Sequence, residues 1–204
     1  STEINPLPYP RPALPADAWT ALPDAGAMQA LETAARAFWD VPATAAVLAA
    51  PGASALIARL PFALQGERVE ITAPTYNEHG RAYAAAGWGF GPGGAKVLVH
   101  PNNPDGRIWR EEEAGAEICV IPEVSLIRLA ARPGTVVLKS FGKFWGLAGL
   151  RLGFAIGDPA ILARLAQMLG PWPVSGPALE IGAQALRDTA WAEATRARLA
   201  ADAA

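Results

Sequence analysis

The chain has 204 residues, of which 51% are hydrophobic and 18% charged, with a formal net charge of −2. Such a length can bury a sizeable core in one or two domains, and the composition excludes a disordered chain. The near-neutral balance offers no electrostatic footprint for nucleic acid, and no apolar run is long enough to cross a bilayer.

The single cysteine, Cys119, cannot form an internal disulfide and fits a reducing, cytoplasmic compartment. Two histidines, His79 and His100, without a cysteine cluster do not make a structural zinc site, so no metal is expected.

In chain order, residues 1–26 come first, with prolines from Pro6 to Pro23. The segment reads as extended and poor in backbone donors, either draped over the surface or a partner subunit, or loose. Asp24 is placed to cap a helix from about Ala27 to Trp39, with Met28, Leu31, Ala35 and Phe38 on one stripe. Ala45 to Ala49 is a short buried strand. Gly52, Ala53 and Ser54 then turn the chain into a helix, and such a turn can hold an anion on its N–H groups and helix dipole.

Arg68 to Thr72 reads as a strand, followed by Pro74-Thr75-Tyr76-Asn77-Glu78-His79 and a helix through Ala86. Tyr76 is either an aromatic face for a planar ligand or a structural tyrosine at a strand end. Gly87 to Gly94 reads as a loop: its G-x-G-x-x-G follows a helix, whereas a dinucleotide fingerprint follows a strand. Lys96 to Val99 is a strand, and His100-Pro101-Asn102-Asn103-Pro104-Asp105-Gly106 a turn. Ile108 to Glu117 is a helix candidate, Ile118 to Ile121 a strand, and a further helix ends near Ala131. Gly134 to Leu138 and Leu152 to Ile156 are strands. Asp158-Pro159 opens a helix through Leu169, and a last helix runs from about Ala178 to Ala203.

Between the strands at 134–138 and 152–156 lies Ser140-Phe141-Gly142-Lys143-Phe144-Trp145-Gly146-Leu147-Ala148-Gly149-Leu150-Arg151. Ser140 and Arg151 can both bind a phosphate, and a partly desolvated Lys143 can act as an amine nucleophile. The other reading is a glycine-rich loop with a solvated lysine.

The order Ser-x-Gly-Lys-x-x-Gly-x-x-Gly-x-Arg-x-Gly resembles the lysine segment of the fold-type I family of pyridoxal 5'-phosphate enzymes, the aspartate-aminotransferase fold. The resemblance implies that Lys143 is joined to the cofactor aldehyde and is catalytic. It implies that Ser140, Arg151 and the Gly52-Ala53-Ser54 turn bind the cofactor phosphate. Tyr76 would stack on the pyridine ring, and Asn103, in an Asn-Pro-x-Gly string, would bond its hydroxyl. Ile4-Asn5-Pro6-Leu7-Pro8-Tyr9-Pro10 resembles the family's N-terminal arm, which borders the site.

Within the family, Pro-Thr-Tyr-x-Glu-His, Asn-Asn-Pro-Asp-Gly and Gly-Pro-Trp-x-Val-Ser-Gly-Pro most resemble the cobalamin-pathway branch, similar to histidinol-phosphate aminotransferases. The implied activity is decarboxylation of L-threonine O-3-phosphate; an aminotransferase and a non-catalytic pseudoenzyme are the alternatives. The implied fold is α/β, a three-layer αβα unit with a mostly parallel sheet. A small phosphorylated amino acid is the implied substrate and a homodimer the implied assembly, with no nucleic-acid or membrane partner. Residues 27–177 would form the cofactor-binding large domain, and 178–204 a helix leading to a small C-terminal domain that is largely absent.

Three departures from the family pattern stand out. No aspartate follows the strand at 118–121, where the family has one to pair with the pyridine nitrogen. The stretch from Gly87 to Lys96 is short. The small domain's substrate-binding arginine is missing. Either residues are omitted near Gly91 and near Val120, with chain breaks there, or the chain has lost its chemistry. Breaks are the expectation, because deleting a central strand would expose backbone groups.

Overall fold

A computed structural model describes residues 4–114, 119–120 and 124–202. The elements are α1 (Asp17–Thr20), α2 (Ala25–Trp39), β1 (Ala46–Ala50), α3 (Ala53–Ala63), β2 (Arg68–Ile71), α4 (Glu78–Ala85), β3 (Gly89–Phe90), β4 (Ala95–Val99), β5 (Cys119–Val120), β6 (Val136–Ser140), β7 (Gly153–Gly157), α5 (Pro159–Leu169), α6 (Gly176–Arg187) and α7 (Thr189–Asp202). Short 3₁₀ turns occupy Glu111–Ala114, Val124–Ala131 and Ala148–Leu150.

The seven strands form one sheet in the order β1-β7-β6-β5-β4-β2-β3. All pairings are parallel except those of β7, which runs antiparallel to both β1 and β6. Strand alternation splits the core between the two faces. Phe154 and Ile156 of β7 and Val137 of β6 meet Leu31 and Trp39 of α2 and Leu179 of α6. Ala155, Val136 and Leu138 face Leu56 and Leu60 of α3, Tyr83 of α4 and Leu165 of α5. This is the three-layer αβα architecture with a mostly parallel sheet. Because both faces are covered, β6 opens on the apolar run Val136-Val137-Leu138, not on an alternation.

Local signals set the helix starts. The Asp24 carboxylate accepts from Ala27 N at 2.7 Å, a cap that contributes about 1 kcal/mol. Asp158 accepts from Ala160 N at 2.8 Å ahead of Pro159. The 178–203 helix is in fact two: α6 ends at Arg187, and Asp188 accepts from Trp191 N at 3.0 Å, capping α7. The loop expected at 87–94 contains β3, which adds to the sheet edge beside β2. β3 leads into Gly91, whose N–H donates to Val69 O at 2.9 Å. The helix expected at 108–117 is a single 3₁₀ turn, and 115–118 lie outside the described residues. The break expected near Val120 concerns 121–123, which also lie outside them.

The proline-rich segment is docked on its own chain. Asn5 N donates to Lys143 O at 3.0 Å and Tyr9 N to Trp145 O at 2.8 Å, and Tyr9 is buried.

Candidate active site

The strand order creates the first half of the site. β7 runs back between β1 and β6, so its first residue, Gly153, pairs with the last residue of each neighbour, Ala50 and Ser140. Gly52, at φ 88°, then turns the chain into α3. Packing here leaves no room for side chains. A Cβ on Gly153 would lie 2.5 Å from Ala53 N, and one on Gly52 would lie 2.5 Å from Arg151 Nη2. The Arg151 guanidinium therefore lies over the start of α3.

Arg151 has φ 54°, which turns the chain into β7, and its Nη1 donates to Ala148 O at 3.3 Å. No side chain caps α3; of its first-turn N–H groups, that of Ala55 donates to Gly52 O at 3.2 Å, which leaves those of Ala53 and Ser54 at the start of the helix. The structure thus gathers Gly52, Ala53, Ser54, Ser140 and Arg151 where three strand ends meet. A guanidinium, helix N–H groups and two hydroxyls suit a phosphate dianion, and the two glycines keep that place from being filled by a Cβ. The residues present fit the phosphate of pyridoxal phosphate.

The second half adjoins the first through Ser54. Ser54, Ile57 and Ala58 of α3 line a cavity of about 310 Å³ together with Tyr76, Arg81 and Ala82. Tyr76 is 40% exposed, so its ring remains accessible. Its neighbour His79 is buried in α4, with ring centroids 6.0 Å apart at 79°. His79 therefore lies on the inner face of the helix.

Burial without a partner for Nε2 lowers the His79 pKa from 6.5 to about 4. The unfolded chain binds this proton more readily than the folded one. Stability is therefore intact above pH 6.5 and falls as pH drops toward 4, by about 3 kcal/mol at 1.36 kcal/mol per pKa unit. Denaturant titrations at pH 7 and pH 4 should show this loss, and His79→Phe should reduce it.

Asn103 sits in the turn after β4, next to Asn102, which ties that turn to Pro74 and Thr75. Asn102 is buried, donates to Pro74 O at 2.9 Å and Asp105 Oδ1 at 2.7 Å, and accepts from Thr75 Oγ1 at 2.6 Å. The Arg107 backbone N–H, then the Asn102 amide, hold the Asp105 carboxyl below its usual range. His100 is also used internally: its Nδ1 accepts from Trp109 N at 3.0 Å.

Lys143 is half-buried on the loop joining β6 and β7, three residues beyond Ser140. Its carbonyl accepts from both Asn5 N and Gly146 N. Beside it, Phe141 and Trp145 stack at 4.1 Å and 3°, anchoring the loop in the core.

Sequence reasoning missed three contributors: Gly153, Asn102 and Asn5. The doubled asparagine before Pro104 was a signal for Asn102; close approach at Gly153 had none. The position of the family's pyridine-pairing aspartate falls at 121–123, outside the described residues. Among the described residues, no group of His, Cys, Asp or Glu could hold a metal ion, and no helix is long and apolar enough to cross a membrane.

The pattern of the aminotransferase class I and II family matches residues 111–204. The chain is 39% identical to the threonine-phosphate decarboxylase of Pseudomonas aeruginosa, over 92% of this chain and 64% of that protein. The chain belongs to the fold-type I family of pyridoxal-phosphate aminotransferases and decarboxylases. That alignment runs over 217 positions, more than the 204 residues available here, so the relative carries residues that this chain lacks inside the matched span.

The histidinol-phosphate aminotransferase of Aeromonas hydrophila is 42% identical, over 44% of this chain and 30% of its own length. Among solved structures, the histidinol-phosphate aminotransferase of Clostridium acetobutylicum superposes with a TM-score of 0.79 at 19% identity, covering 96% of this chain and 71% of that one. That of Sinorhizobium meliloti, solved in complex with pyridoxal-5'-phosphate, gives 0.71 at 18% identity, over 85% and 58%. These two likenesses concern the fold.

Proposed function

We propose that the protein decarboxylates L-threonine O-3-phosphate with pyridoxal 5'-phosphate, as a homodimer. The observation that carries the choice is the extent of the likeness: it runs over 92% of the chain to a threonine-phosphate decarboxylase but over 44% to a histidinol-phosphate aminotransferase. The site geometry supports the cofactor. Arg151, Ser140, Ser54 and the first turn of α3 would hold its phosphate, Tyr76 would lie against its ring, and Asn103 would donate to the ring oxygen.

When bound, the cofactor supplies an electron sink for the pair left by a bond broken at the amino carbon. The reaction breaks the bond from that carbon to the carboxylate; CO2 leaves and a proton takes its place. Lys143 would hold the cofactor aldehyde, and its ammonium would deliver the proton to the amino carbon. Ser140 and Arg151 would hold the cofactor phosphate, and Tyr76 would limit movement of its ring. In this reading residues 178–204 lead towards a small C-terminal domain.

The test is to incubate the protein with pyridoxal phosphate and L-threonine O-3-phosphate and measure CO2. Release of CO2 with no oxo acid present is the expected result. Amino transfer requiring 2-oxoglutarate would replace it with the aminotransferase reading. Failure to bind pyridoxal phosphate would leave the pseudoenzyme.

A further inference from the structure

We infer that Asn5 is a positioning residue for Lys143, and that its side-chain amide ties the lysine loop to α7. The inference rests on the function proposed above. Asn5 is buried, and each polar group of its side chain is used. Nδ2 donates to Phe144 O at 2.9 Å, while Oδ1 accepts from Leu7 N at 3.0 Å and from Arg198 Nη2 at 2.6 Å. One acceptor on one side and two donors on the other fix which way the amide points. Its backbone N–H adds a bond to Lys143 O at 3.0 Å. The carbonyls of Lys143 and Phe144 are thus both held by a residue 138 and 139 positions away in sequence.

The loop is shaped to receive this contact. Gly146 has φ 65°, and a Cβ there would lie 2.8 Å from both Asn5 O and Pro8 Cα. From the other side, α7 places Trp191 edge-on to Phe144 at 5.7 Å and Arg196 over the same ring at 5.6 Å. Arm and C-terminal helix therefore converge on the peptide unit that carries the lysine. A lysine side chain has four rotatable bonds, so the placement of its amine depends on a fixed backbone at its root. Asn5 supplies that fixed point, with Arg198 holding the amide in place.

The test is a double-mutant cycle on binding of pyridoxal phosphate, read by absorbance titration, with thermal unfolding as a check on folding. Asn5→Ala should weaken binding about tenfold, the effect of losing buried hydrogen bonds. In a Lys143→Ala background, where binding is non-covalent, the same change should cost less than about twofold. Asn5→Asp keeps an acceptor for Leu7 and Arg198 but loses the donor to Phe144 O, and should match Asn5→Ala. Asn5→Gln keeps the chemistry but displaces it; it should show a smaller loss with the same dependence on Lys143, and it serves if the alanine variant does not fold. Equal losses in both backgrounds would make Asn5 a peg for the fold and overturn the inference, as would unchanged binding. A wild-type protein that binds no pyridoxal phosphate would overturn the proposed function as well.

Discussion

Lys143→Ala is expected to lower turnover of threonine phosphate by at least about 10³-fold, because one amine serves both as anchor and as proton carrier. Affinity for the cofactor should fall much less. The phosphate partners proposed for it lie on other elements: Gly52 to Ser54 at the start of α3, Ser140 at the end of β6, and Arg151 ahead of β7. The variant should therefore still retain pyridoxal phosphate through a gel-filtration column, but without the visible absorbance of a lysine-bound aldehyde. Stability should change little, since the side chain is half-buried and the loop is anchored by Phe141 and Trp145. A variant that keeps most of its turnover would remove Lys143 from the chemistry and with it the proposed reaction. Adding a small primary amine to the assay should restore part of the proton transfer, which separates that role from the anchoring one.

Much of this arrangement was readable from residue order, for physical reasons that differ by element. Asp24 before α2 and Asp158-Pro159 before α5 are local signals, because a cap acts within one turn, and both helices begin where those residues stand. The parallel strands β2, β4, β5 and β6 were found within a residue or two because burial leaves short apolar runs between turns. The reversed direction of β7 is a property of the sheet as a whole, and no local pattern encodes it. β3 was missed because Gly89 and Phe90 form an exposed two-residue edge strand that makes no apolar run of its own. The division at Asp188 did carry a signal, an aspartate before threonine within a long helical pattern, but alanine-rich flanks masked it. That the N-terminal segment drapes over the surface was one of the readings open in the sequence; its anchoring was not legible, since it depends on one buried amide meeting residues more than a hundred positions away. The candidate anion site was half legible: its turn, hydroxyl and arginine could be proposed from the sequence, whereas the absence of a side chain at Gly153 acquires meaning only when β7 lies between β1 and β6.

That last residue gives the sharpest test of the site. Gly153→Ala places a methyl group 2.5 Å from Ala53 N, 2.7 Å from Gly52 C and 3.1 Å from Ala53 Cα. All three are backbone atoms, so none can swing away as a side chain would. Either β7 shifts, breaking its pairing with Ala50 and Ser140, or the Gly52-Ala53 turn moves outward. The first course strains a sheet buried on both faces; the second opens the start of α3 at lower cost. Overpacking of this kind costs about 1–3 kcal/mol of stability. Displacing the turn would also pull first-turn N–H groups off the phosphate, and losing one or two charge-assisted bonds lowers affinity roughly 10- to 100-fold. Gly80→Ala is the matched control: it lies in α4 with nothing within 4 Å of a new Cβ, so it should be neutral or stabilise by about 0.5–1 kcal/mol. Binding of pyridoxal phosphate and of inorganic phosphate should fall in parallel in Gly153→Ala and stay unchanged in Gly80→Ala. If Gly153→Ala weakened neither ligand, the anion site would have to lie away from the meeting point of β1, β7 and β6.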